Sequence, residues 1–223
     1  MFVSRSMKRD VITVRRDTSL LEARALMHSK QIRHLPVVDA DRRVVGIITD
    51  RDIRSALPFH LAKAPGDPAE ESRFAELQVS DVMTPDPMTI KPSHTLQDAL
   101  LLIQEKRVGA FPVVDENGIL IGILSVRDLL QAFINVMGIG QPGTLLGIMV
   151  EEKVGQLKKI VDTITAENIS FGSVLVARHW EENKRAVFPY LLTNNVARVK
   201  KKLQELGFEL IDPMQWHIDQ ASK

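Results

Sequence analysis

A chain of 223 residues, 44% hydrophobic and 26% charged, is the size of two ordinary domains or of a duplicated module with a third unit. It contains no cysteine, which excludes disulfides, thiolate catalysis and cysteine-based zinc sites. A net charge of +1 and an aromatic content of 5% argue against a general nucleic-acid binder, which needs a basic footprint and stacking platforms.

The N-terminus, Met1-Phe2-Val3-Ser4-Arg5, lacks an apolar signal region, so a cytoplasmic location is expected. Val11-Ile12-Thr13-Val14 reads as a short β-branched strand. The next helix starts from a Thr18/Ser19 cap and places Leu20, Ala23 and Met27 on one face. Strands are expected at 35–38 and 44–49, joined by the polar turn Asp39-Ala40-Asp41-Arg42, with a second helix over 50–57. Ala64-Pro65-Gly66-Asp67-Pro68 is a loop signal, and 69–77 reads as a short helix.

Residues 79–133 then repeat residues 3–57 at an offset of 76 without a gap. Pro36-Val37-Val38-Asp39 returns as Pro112-Val113-Val114-Asp115, Gly46-Ile47 as Gly122-Ile123, and Arg51-Asp52 as Arg127-Asp128. In the second copy Thr95 is the cap, Leu96, Ala99 and Ile103 form the apolar helix face, and Glu116-Asn117-Gly118 is a hairpin turn. Self-similarity at a fixed long period means one structural unit made twice and packed against itself, which leaves a pseudo-symmetric cleft. The copies differ in charge: the first has 12 Lys/Arg against 7 Asp/Glu, the second 4 against 7. They cannot serve an anionic ligand equally.

Residues 129–150 carry no charge over 22 positions, but Gly138-Ile139-Gly140-Gln141-Pro142-Gly143 would break a membrane helix. The stretch reads as a helix end, a hinge at 138–143 and the start of a strand, with no membrane span. A third unit follows over 144–212. A strand at 145–150 leads into an amphipathic helix over 154–167, on which Val154, Leu157, Ile160, Val161 and Ile164 recur at helical spacing. Residues 169–177 and 185–192 form a hairpin around Glu181-Glu182-Asn183-Lys184, and Pro189, lacking a backbone donor, is expected on an edge or bulge. Val196, Val199, Leu203 and Leu206 mark a second helix stopped by Gly207, and 208–211 is a last strand. The order βαββαβ fits a ferredoxin-like α+β sandwich with both helices on one face. Residues 213–223 carry no assignable pattern.

The most informative local feature is a strand-to-helix junction found twice, Gly46-Ile47-Ile48-Thr49-Asp50-Arg51-Asp52 and Gly122-Ile123-Leu124-Ser125-Val126-Arg127-Asp128. A hydroxyl at a helix N-terminus followed by Asp three residues later is a capping box. The same pair can hold a ribose diol and a phosphate oxygen, as acidic residues do in dinucleotide folds. Both readings remain open for Thr49/Asp52 and Ser125/Asp128. The histidines show no metal-ligand spacing, and no nucleophile–base motif or acidic metal cluster occurs, so neither a catalytic residue nor a metal site is expected.

With its His-Leu-Pro-Val-Val-Asp or Ala-Phe-Pro-Val-Val-Asp strand followed by Gly-x-x-[Thr/Ser]-x-x-Asp, the region from residue 1 to about 137 resembles a tandem pair of CBS domains. The resemblance implies repeats at 1–62 and 79–137 about a linker at 63–78. It also implies a regulatory ligand, an adenine nucleotide (AMP, ADP or ATP), held between the copies. One implied site pairs Ser125 and Asp128 on the ribose with Thr13 and Ile32 beside the adenine; the other pairs Thr49 and Asp52 with Thr89 and Val108. Arg33 and His34 stand where phosphates are often met in this family, whereas Gly109 and Ala110 replace them in the second copy, so one strong site and one weak site are expected. The third unit resembles an ACT domain through Val150-Glu151-Glu152-Lys153-Val154-Gly155-Gln156-Leu157, although Val154 stands where a proline is usual. That resemblance implies an amino-acid ligand at Gly155, Gln156 and Leu157. The whole order is similar to the acetoin-utilisation CBS–ACT family of bacteria. It implies a non-enzymatic homodimeric sensor that acts on a metabolic enzyme, with a ligand-free assembly module or an amino-acid sensor as the alternatives.

Overall fold

The computed structural model describes residues 1–56, 76–138 and 140–211. The loop expected at 64–68, most of the helix expected at 69–77 and the tail at 213–223 lie outside the described residues. The chain divides into two compact units, Met1–Leu130 and Gln131–Lys223.

In the first unit, copy one supplies α1 (Leu20–Lys30), β1 (His34–Val38), β2 (Val44–Thr49) and α2 (Asp50–Ala56). Copy two supplies α3 (Val79–Val82), β3 (Thr84–Pro85), α4 (Leu96–Lys106), β4 (Ala110–Val114), β5 (Leu120–Ser125) and α5 (Val126–Met137). Helix α1 begins where the Ser19 hydroxyl accepts a bond from the Glu22 amide, and it buries Leu20, Ala23 and Met27 as its spacing predicts. Helix α4 has a full capping box between Thr95 and Asp98, and the same bonds hold the Asp98 carboxyl below its ordinary pKa. Both helices end on a residue in the left-handed region, Gln31 (φ 53) and Arg107 (φ 53), which lie 76 positions apart.

The hairpins β1–β2 and β4–β5 share one register, with Pro36 opposite Ile47 and Pro112 opposite Ile123. The repeated aspartate closes each turn: Asp39 Oδ1 accepts from the Asp41 and Arg43 amides, and Asp115 Oδ1 accepts from the Asn117 and Ile119 amides. The strand expected at Val11-Ile12-Thr13-Val14 is not one. Val14 makes a single parallel bridge to Val37, and Ile90 makes the equivalent bridge to Val113. Extending either ladder toward the N-terminus would require an amide donor at Pro36 or Pro112, which proline lacks.

The leading segments of the two copies are exchanged. The Val3 amide donates to the His94 carbonyl and Leu96 donates to Met1, while Val79 donates to Thr18 and Leu20 donates to Leu77. Lys8 bridges Ile123 of β5, and Thr84 pairs with Ile47 of β2. Val79 accordingly belongs to the core of copy one, packed with Leu20, Leu35, Val37, Ile48 and Ile53. Burying Val79 there adds apolar contact from copy two to the core of copy one.

The second unit contains β6 (Thr144–Leu145), β7 (Gly147–Glu151), α6 (Gln156–Thr165), β8 (Phe171–Glu181), β9 (Lys184–Leu191), α7 (Ala197–Glu205) and β10 (Glu209–Ile211). Strands β10, β7, β9 and β8 lie side by side, every pair antiparallel, which is the ferredoxin-like order. Ile160 and Ile164 of α6 share one core with Val199 and Leu203 of α7 and with Ile148, Val187 and Leu191 of the sheet, so both helices cover the same face. Leu206, assigned from its spacing to the apolar face of α7, is 57% exposed beyond the helix end. Pro189 is not at an edge, because β9 is flanked on both sides. Its missing donor falls opposite Leu146, where the single strand expected at 145–150 is interrupted between β6 and β7. No helix among the described residues is long and apolar enough to cross a membrane.

Candidate functional site

The exchanged segments bring residues from both copies around one cleft of about 830 Å³ in the first unit. Val11, Ile12 and Ile32 from copy one and Ile123 from copy two form apolar walls, and Met27 and Ile53 line it from α1 and α2. Ser125 and Asp128 reach it from the junction of β5 and α5. Arg33 reaches it from the turn before β1, and His34 from the first position of that strand.

At that junction the capping box is complete and still leaves one carboxylate oxygen outside it. The Asp128 Oδ2 atom accepts from the Ser125 amide at 2.9 Å and from its hydroxyl at 2.5 Å, and the Asp128 amide donates back to Ser125 Oγ at 3.3 Å. The second carboxylate oxygen, Oδ1, is left out of the cap and stands 3.7 Å from Lys8 Nζ. The Asp128 side chain is only 11% exposed, so this oxygen is an oriented acceptor at a largely desolvated position. Such an atom suits a hydroxyl pair on a ligand, with the lysine as a neighbouring cation.

Thr49 and Asp52 form the same box, with bonds of 2.9, 2.7 and 3.3 Å. They do not line the cleft, and neither do Thr89 or Val108. Thr13 also stands outside its lining, which takes Val11 and Ile12 instead. Of the ten nucleotide-site candidates, Ile32, Arg33, His34, Ser125 and Asp128 are thus gathered in one place.

His34 crosses from copy one to copy two: a Cβ built on Gly109 would lie 2.5 Å from its Nε2. Only glycine at 109 leaves room for the ring. Burial pushes the His34 pKa down, and Arg33 acts in the same direction, while Asp50 and Asp52 oppose the shift. The imidazole therefore favours its neutral form, able to donate from one nitrogen and accept at the other.

Sequence reasoning missed Lys8, Asp10, Arg24 and His28, all on the cleft wall. For Arg24 and His28 a signal existed, because they sit four residues apart beside the buried face of α1. For Lys8 and Asp10 there was none, since their placement depends on the exchange of leading segments.

In the second unit, Gly155, Gln156 and Leu157 line a smaller hollow of about 220 Å³ together with Lys153, Val176 and Arg185. Gly155 has φ 92 and opens α6. The Arg185 guanidinium pairs with Glu152 through Nη2, while its buried Nε finds no acceptor. Among the described residues no cluster of three or more His, Asp or Glu side chains could hold a metal ion.

The CBS domain model matches residues 3–58 and 79–135. A CBS domain-containing protein of Dictyostelium discoideum is 37% identical over 139 residues, 61% of this chain and 94% of that protein. The crystal structure of CBSX2 in complex with AMP, a protein of Arabidopsis thaliana, superposes with a TM-score of 0.51 at 31% identity, over 60% of this chain and 96% of that one. A Vibrio cholerae protein named AcuB for acetoin utilization superposes with a TM-score of 0.53 at 28% identity, over 63% of this chain and 95% of that one. With two matched repeats that span just over half its length, the chain belongs to the CBS domain family.

Proposed function

We propose that this chain is a non-enzymatic regulatory protein that senses an adenine nucleotide in the cleft lined by Ser125, Asp128 and Ile32. One observation carries the reading: Asp128 Oδ1 remains available beside an apolar slot after the cap has used Oδ2. The AMP bound by CBSX2, a relative of the same pair architecture, supports the choice of ligand. Base stacking between Ile12 and Ile32, ribose hydroxyls on Asp128 and Ser125, and phosphates toward Arg33 and His34 would fill the cleft. Binding would then shift the equilibrium between packings of the two copies by its affinity difference for them, typically about 1–3 kcal/mol. A cytoplasmic homodimer acting on an enzyme of acetoin or carbon metabolism is the setting this reading implies. The Vibrio cholerae likeness supports the acetoin part of that setting.

Calorimetric titration of AMP, ADP and ATP tests the reading on the wild type, Asp128→Ala and Asp52→Ala. The wild type and Asp52→Ala should bind at this cleft, and Asp128→Ala should lose at least tenfold in affinity. Equal binding by all three would remove the proposed site.

A second reading applies to the third unit, taken as an ACT-type domain over 144–212. Gly155, Gln156 and Leu157 line the hollow together with Arg185, whose buried Nε has no partner, and that set of donors suits the carboxylate of an amino acid. Amide shifts at 155–157 on titration with the standard amino acids would support it. Unmoved spectra would leave the unit as an assembly domain.

A further inference from the structure

We propose that the cleft ranks its ligands by negative charge. Adenosine di- and triphosphates stand above the monophosphate, and neutral adenosine and the cationic S-adenosylmethionine stand below all three. This inference rests on the nucleotide reading above and specifies it.

Five Lys/Arg side chains and three Asp side chains line the cleft. Two of the cations are already matched, Lys8 to Asp128 at 3.7 Å and Arg54 to Asp50 at 3.1 Å. Arg24, Arg33 and Arg127 form no ion pair among the described residues, although salt bridges are common elsewhere in the chain. They come from α1, from the turn before β1 and from the first turn of α5, so three separate elements direct unmatched guanidinium groups to one hollow. Concentrating like charge on a concave surface is unfavourable until an anion arrives, and a low-dielectric wall strengthens the attraction once it does. His28 and His34 add imidazole nitrogens to the same wall.

The duplication supplies an internal comparison. The positions equivalent to Arg24, Arg33 and His34 in copy two are Leu100, Gly109 and Ala110. The fold therefore tolerates neutral residues at all three places, so the Arg24 and Arg33 charges are not required by the scaffold, whereas Arg127 recurs as Arg51.

Titration calorimetry in magnesium-free buffer with adenosine, AMP, ADP, ATP and S-adenosylmethionine tests the ranking, run at low and high salt. Each added phosphate should tighten binding by about 3–10-fold, and the spread should narrow at high salt. The double variant Arg24→Gln/Arg127→Gln changes two exposed side chains, and circular dichroism melting checks that it folds. Its spread across AMP, ADP and ATP should fall to about threefold or less. AMP binding as tightly as ATP, S-adenosylmethionine binding tightest, or an undiminished spread in the double variant would overturn the ranking while leaving the nucleotide sensor intact. Failure of every adenine compound to bind would overturn the sensor reading itself.

Discussion

The thioether of Met7 lies directly on Gly122: a Cβ built on that glycine would stand 2.6 Å from the Met7 sulfur and 3.1 Å from the Lys8 carbonyl oxygen. Seventy-six residues along, Met83 lies on Gly46 in the same way, with its sulfur 2.5 Å from the equivalent position. Each methionine belongs to the leading segment of one copy and each glycine to a hairpin of the other, so these contacts lock the exchange. This is why Gly46-Ile47 and Gly122-Ile123 read alike.

Gly122→Ala should therefore destabilise the first unit by about 1–3 kcal/mol, read as a lower urea midpoint at unchanged slope. Adding Met7→Ala should recover part of the loss by making room. Gly46→Ala should act in the same direction but more weakly, because its close neighbours are all atoms of the flexible Met83 side chain. A wild-type midpoint for Gly122→Ala would show that the segments are not held this way.

The two capping boxes make a matched pair for separating stability from recognition. Thr49→Ala and Ser125→Ala each remove the hydroxyl that caps α2 or α5 and should each cost about 0.5–2 kcal/mol. Only Ser125 lines the cleft, so only its loss should also weaken nucleotide binding. If Thr49→Ala weakens binding as much as Ser125→Ala does, the single-cleft assignment fails.

The sequence showed this architecture well where the physics is local. Caps at Ser19 and Thr95, the Asp39 and Asp115 turns and the hairpin registers all depend on residues a few positions apart, and they were legible at once. Expectations failed where partners are distant. A β-branched run such as Val11-Ile12-Thr13-Val14 carries strand propensity, but its ladder is cut short by a proline 22 positions beyond Val14. A missing donor points Pro189 to an edge or a bulge, yet an interruption in the neighbouring strand at Leu146 lets it sit inside the sheet. In the cleft, Ser125 and Asp128 were visible as a motif. Lys8 and Asp10 were not, because only the exchange of segments carries them to the second copy.

His34 gives a pH dependence of defined sign. Burial holds its folded pKa below the ordinary value of 6.5, so in the acid range the unfolded chain takes up a proton before the folded chain does. The stability tied to its neutral form is present above pH 6.5 and is lost as the pH falls through the lowered folded value. His34→Gln should therefore flatten this part of the profile, measured as urea midpoints between pH 7.5 and 5. An identical fall in wild type and variant would mean that other groups carry the acid sensitivity.

The connection into the second unit is pinned by side chains of its sheet. The Tyr190 hydroxyl donates to the Gln141 carbonyl at 2.5 Å, and the Ser173 hydroxyl donates to the Met137 carbonyl at 2.8 Å. Gly143 passes so close to β9 that a Cβ there would collide with the Leu191 carbonyl oxygen and stand 3.0 Å from the Tyr190 ring. Backbone cannot yield as a methionine side chain can, so Gly143→Ala should cost about 3 kcal/mol, at the upper end for overpacking. Tyr190→Phe keeps the ring and removes one hydrogen bond, and should cost about 1 kcal/mol. Calorimetric melting should therefore place the transition of Gly143→Ala well below that of Tyr190→Phe, with the wild type highest. The reverse order would mean that the hydroxyl, rather than the close backbone approach, fixes this segment on the sheet.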